Sequence, residues 1–222
     1  SPSPPQPAWA GPAKWDAYAG HRDLPPMRSY DMSFQPVAVA GNVFFGSSAD
    51  DTLYCVDAAD GSARWSYITD GPIRTAPTYA AGRLFFGSDD GFAYCLDAED
   101  GSLVWKYRPA ETERLILNNG CFIPFHPCRT GVLVDRGRAY FGCALLPWKD
   151  AYLCSVDVET GQPEGEGCYV QQLAGATLEG PPAATSDLLV FPQGRVAPRV
   201  FQRVDGKDQG PLKKSSGGSI VV

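Results

Sequence analysis

The residues with the widest chemical range in this sequence are seven cysteines, two histidines and a short acidic turn. Cys121-Phe-Ile-Pro-Phe-His-Pro-Cys128 brackets His126 between two thiols. That spacing suits a disulfide-closed loop, two unpaired thiols, or part of a metal site with His126. A closed zinc site takes four ligands, so Cys121, Cys128 and His126 fall one short, and the Cys-x-x-Cys-His run of haem attachment is missing. Cys55, Cys95 and Cys154 read as one recurring repeat position, where a buried reduced thiol acts as a small apolar side chain. Equivalent positions in neighbouring repeats are expected beyond the ~7 Å Cα limit of a disulfide.

Nucleophilic catalysis finds little support. A Ser–His–Asp set would have to use His21 or His126, and no Gly-x-Ser-x-Gly elbow occurs. Asp89-Asp90-Gly91 offers carboxylates to calcium, yet as a turn it needs no ion. Asp57, Asp97 and Asp157 each precede a hairpin and are expected to cap its amides. His126, Arg129, Arg195, Arg199 and Trp148 are candidates for a binding face. Arg195 and Arg199 suit an anion or acidic partner, or simple solvation at the surface. Phe122, Phe125 and Trp148 suit either stacking on sugars or a core.

The elements that must position these residues come from a repeat. Gly41-Asn-Val-Phe-Phe-Gly-Ser47 is answered by Gly82-Arg-Leu-Phe-Phe-Gly-Ser88, and the run from Leu53 to Trp65 by the run from Ala93 to Trp105. A period near forty residues, built of short alternating strands, marks a β-propeller blade. Asp60-Gly61 and Asp100-Gly101 are tight-hairpin signals. The first blade is predicted over about 34–67, with strands Gln35–Val39, Asn42–Gly46, Thr52–Asp57 and Ala63–Tyr67. The second spans about 74–107. A degraded third spans 129–165, where no Trp follows Thr160-Gly161 and Pro163 and Gly165 stand at the start of the outer strand. A fourth spans 180–214, and Gly218–Val222 reads as the inner strand of a fifth.

The predicted fold is therefore all-β: about four four-stranded blades forming an open arc, part of a larger propeller or of a ring completed by a second chain. Residues 1–32, rich in proline, read as an extended tail or linker, and 33–222 as the partial propeller. The chain opens on Ser1, which reads as a mature end or an internal cut. A net charge of −6, with no basic run beyond Lys213-Lys214, excludes a nucleic-acid surface. No apolar run approaches the ~18–20 residues of a membrane span.

Leu53-Tyr-Cys-Val-Asp-Ala-Ala-Asp-Gly-Ser-Ala-Arg-Trp65 and its copy ending at Trp105 resemble the PQQ-like repeats of quinoprotein-type β-propellers, and the whole is most similar to their bacterial exported kind. The resemblance implies that Trp65 and Trp105 dock blade on blade together with Gly61 and Gly101. It also implies an extracytoplasmic location, in the periplasm or at the cell surface. The adjacent cysteine pair of the quinone-dependent dehydrogenases does not occur here, and their calcium ligands find no matching positions. The expectation is a non-catalytic scaffold or binding module holding a protein partner, with no metal and no cofactor. The alternatives are a fragment of an oxidoreductase using pyrroloquinoline quinone (PQQ) with calcium, and a carbohydrate-binding propeller.

Overall fold

The computed structural model describes residues 35–111, 114–118 and 121–218, without the side chains of Asn118 and Cys121. The tail assigned to 1–32, His21 and the strand expected up to Val222 lie outside the described residues.

Four antiparallel sheets of four strands follow one another, each a meander in sequence order. Blade 1 holds β1 (Val37–Val39), β2 (Asn42–Gly46), β3 (Thr52–Asp57) and β4 (Ala63–Ile68). Blade 2 holds β5 (Thr78–Ala80), β6 (Arg83–Gly87), β7 (Ala93–Asp97) and β8 (Leu103–Tyr107). A two-stranded hairpin follows, β9 (Leu115–Asn118) with β10 (Cys121–Pro124). Blade 3 holds β11 (Leu133–Asp135), β12 (Arg138–Cys143), β13 (Ala151–Asp157) and β14 (Tyr169–Leu173), and blade 4 holds β15 (Ala183–Ala184), β16 (Leu188–Gln193), β17 (Val196–Gln202) and β18 (Asp208–Pro211).

The turns explain why short strands pair so tightly. Between the first two strands of blades 1, 2 and 3 stand Ala40-Gly41, Ala81-Gly82 and Arg136-Gly137, all at positive φ from 48° to 78°. Two consecutive left-handed residues make the turn whose twist matches the strands it joins. At the same end of the sheets, the carboxylates of Asp57, Asp97 and Asp157 accept from the amides of Ala59, Glu99 and Glu159 at 2.8–2.9 Å, which closes the outer hairpins.

Alternation sends each strand's residues to two faces. Phe44, Cys55 and Trp65 pair across blade 1 and face blade 2, where Leu84, Phe86, Tyr94 and Leu96 meet them. Phe85, Cys95 and Trp105 leave blade 2 on its other face and meet Ala139, Phe141, Cys143, Cys154 and Val156 of blade 3. Tyr140, Leu153 and Leu173 then meet Leu189, Phe191 and Phe201 of blade 4. Among the described residues, the middle two blades are thus packed against a neighbour on both faces and the end two on one. On the outward face of blade 1, Val43, Phe45, Tyr54 and Val56 are half-buried. The four sheets form an open arc.

Two expectations need correction. The third blade does not stop at 165: after Gly161 the chain detours for seven residues, and the outer strand is β14, ending at Leu173. Cys154 does not share the position of Cys55 and Cys95. Ser155 pairs with Tyr140 as Cys55 pairs with Phe44 and Cys95 with Phe85, whereas Cys154 pairs with Phe141. A slip of one residue turns a side chain to the opposite face, so Cys154 looks back at blade 2.

Candidate functional site

The joints between blades are made by rings lying on glycines. Trp65 covers Gly101 of blade 2 and donates its indole N–H to the Ala98 carbonyl at 3.3 Å. Trp105 covers Gly161 of blade 3 and donates to the Val158 carbonyl at 3.0 Å. Any Cβ at Gly161 would lie 2.4 Å from the Trp105 ring. The third joint uses Tyr169, which covers Gly206 of blade 4 and was not singled out in the sequence. Its signal is weak, because the detour of blade 3 shifts it four residues beyond the repeat position. Gly61 carries no such ring among the described residues.

One face of the arc gathers the turns between second and third strands and the connections between blades. There Asp89, almost wholly buried, receives Arg74 Nε at 2.8 Å and the Arg129 guanidinium at 2.9 and 3.0 Å. Arg74 and Arg129 open the first connections into blades 2 and 3, so one carboxylate ties both to the turn of blade 2. Asp90 beside it accepts from Tyr94 Oη at 2.5 Å and from the Phe92 amide at 3.0 Å. Burial pushes the Asp90 carboxyl up despite these donors. The acidic turn read as a calcium candidate is thus an internal clamp, and Arg129 is bound within it. Among the described residues no three His, Cys, Asp or Glu side chains converge on a metal position.

The same face carries the β9–β10 hairpin. Register places Leu115 opposite Pro124, Leu117 opposite Phe122, and Ile116 opposite Ile123. Ile123 is buried on the propeller, which leaves the other side of the hairpin outward: Leu115 is 54%, Leu117 68% and Phe122 71% exposed. Trp148, from the neighbouring turn of blade 3, is 73% exposed. His126 fixes the base of the insertion, its ring edge-on to Tyr152 at 5.0 Å, and burial pushes its imidazole down. Phe125 lies under the Lys149 ammonium at 5.7 Å.

The arginine candidates separate. Arg199 is bound to Asp208 and to the Gly175 carbonyl, while Arg195 is exposed on the turn after β16. The structure brings His126 to the base of the hairpin, sets Trp148 out on the turn between β12 and β13, and leaves Arg195 and Arg199 on blade 4. Cys128 is buried in the joint with blade 3, and the Cys121 side chain, the other half of the bridge considered from the sequence, lies outside the described residues.

Sheet order, docking rings and repeat make this chain a PQQ-like β-propeller repeat protein. It belongs to the family whose model is described as "Outer membrane protein assembly factor BamB", matching it over residues 15–167. No curated protein matches the chain. BamB from Moraxella catarrhalis superposes with a TM-score of 0.60 at 17% identity, over 82% of this chain and 51% of that one. The quinohemoprotein alcohol dehydrogenase of Comamonas testosteroni gives 0.63 at 14% identity, over 83% and 35%. A computationally designed protein, Ika8, gives 0.55 at 13% identity, over 83% and 49%. These likenesses are of fold, and the chain spans about half the length of that BamB structure.

Proposed function

We propose that this chain is a non-catalytic scaffold of an exported bacterial protein, holding a protein partner against the β9–β10 hairpin. The carrying observation is the one-sided hairpin. Ile116 and Ile123 share the side toward the propeller, while Leu115, Leu117 and Phe122 face outward. Large apolar side chains grouped at a surface mark an interaction site. A two-stranded hairpin also has free edges, which an extended segment with apolar side chains can extend by a strand. Membership of a family described by outer-membrane assembly supports an extracytoplasmic location. Among the described residues no helix is long and apolar enough to cross a membrane.

A photo-reactive residue at 117 in the full chain, expressed in a bacterium behind a supplied export signal, tests this. The expected result is a discrete protein adduct that Phe122→Ser and Leu115→Ser abolish without moving the unfolding midpoint. Adducts indifferent to those changes would remove the hairpin from the interface. The carbohydrate alternative draws on exposed Trp148 and Phe122 and predicts retention on a polysaccharide column, lost in Trp148→Ala. The quinone alternative predicts a bound chromophore released by a calcium chelator.

A further inference from the structure

The joint between blades 2 and 3 contains four buried cysteines: Cys95, Cys128, Cys143 and Cys154. Two of them stand where the repeat uses other residue types. Ile73 presses against Gly46, and Leu178 against Gly142, as the chain enters the next blade; Cys128 presses against Gly87 in the same way. The residue after that glycine is Ser47 in blade 1 and Ser88 in blade 2, but Cys143 in blade 3. Both departures fall on positions that meet each other. The Ala144 amide donates to the Pro127 carbonyl at 3.1 Å, just as Asp89 donates to Pro72 at 2.9 Å in blade 2. Peptide 143–144 is thereby bonded to peptide 127–128, and the Cα atoms of Cys143 and Cys128 flank that bond. Neighbouring backbones of this kind bring Cα atoms within the ~4.4–6.8 Å that a disulfide spans. The Cys143 thiol donates to the Gly91 carbonyl at 3.8 Å, and the neighbouring Cys128 thiol helps to push it up. In blade 2 the corresponding pair is Ile73 and Ser88, which has no such chemistry.

We infer that Cys128 and Cys143 are an oxidisable dithiol that closes into a disulfide when the chain folds in the presence of a disulfide oxidant such as oxidised glutathione. The Cys128 thiolate attacks one sulfur of glutathione disulfide, forming a mixed disulfide and releasing one glutathione thiolate. The Cys143 thiolate then attacks the Cys128 sulfur and releases the second. The protein loses two electrons and two protons, and two glutathione thiols carry them away. The reaction belongs to the folding chain. Both side chains are buried once the joint closes, and burial raises the Cys143 thiol well above its ordinary range, so little thiolate forms there. The bond would staple the base of the β9–β10 insertion to β12. It does not depend on what the hairpin binds.

The full chain is refolded from denaturant with reduced and oxidised glutathione, then alkylated under denaturing conditions and mapped by peptide mass. The expected result is alkylation at five of the seven cysteines, with one linked peptide joining Cys128 to Cys143 and a mass about 2 Da below the reduced form. Cys121→Ser retains the link, whereas Cys128→Ser and Cys143→Ser each lose it. Alkylation of every cysteine overturns the proposal, and so does a link from either residue to Cys121 or Cys154. Because the wild-type map is decisive, misfolding of a variant leaves the outcome readable.

Discussion

At the scale of single residues, the joints rest on a few ring atoms. Trp105 is 6% exposed and its indole nitrogen is bonded across to Val158. Trp105→Ala empties that seat, and a loss of about 3–5 kcal/mol follows for a large buried aromatic, read as a fall in the urea midpoint. Tyr169 performs the same docking less completely, because its buried hydroxyl has no hydrogen-bond partner among the described residues. Tyr169→Phe removes an unsatisfied group and keeps the ring, so stability stays level or rises by up to about 1 kcal/mol. Tyr169→Ala, by contrast, falls. His126 sets a pH dependence. Burial depresses its folded pKa, so its contribution is whole above the unfolded value of about 6.5 and drains away as pH falls through the folded value. The urea midpoint should decline between pH 7 and pH 5, a window above ordinary carboxylate titration, and His126→Phe should flatten that decline.

At the scale of elements, the grooves between blades differ by one side chain. Arg83 of β6 reaches across to Glu159 at 2.7 Å on the hairpin of blade 3. Asn42 holds the same place on β2; it is too short to reach Glu99, and its buried Oδ1 has no hydrogen-bond partner among the described residues, beside an open cleft. Asn42→Arg should restore the pattern and gain about 0.5 kcal/mol, the range of a partly exposed ion pair, with Asn42→Arg/Glu99→Gln as the control. The strands of blades 1 and 2 were legible because two near-identical runs fixed register and turn together. Blade 3 was less so: the detour after Gly161 hid β14, and matching Cys154 by residue type rather than by its distance from Asp157 placed it on the wrong face. The hairpin carried a signal in Asn119-Gly120 between Leu115-Ile-Leu and Phe122-Ile. Its anchoring side could not be read, because which isoleucine is buried depends on the propeller beneath. The Asp89 clamp was invisible for a like reason, joining residues forty apart.

At the scale of the whole molecule, the first and last sheets of the arc meet the other described blades on one face only. Blade 2 buries nearly every residue of β6 and β7, whereas in the matching strands of blade 1 Phe45 and Tyr54 stay half-buried, stacked on each other at 5.4 Å.

The three joints also grip by different means: two by indoles each anchored by an N–H, the third by a phenol helped by Arg203 of blade 4, which reaches Tyr140 and Asp135 of blade 3. Under mechanical load the third joint leans on that arginine. Pulled from both ends, the Arg203→Ala molecule should surrender blade 4 first, at a force below that of the unaltered chain.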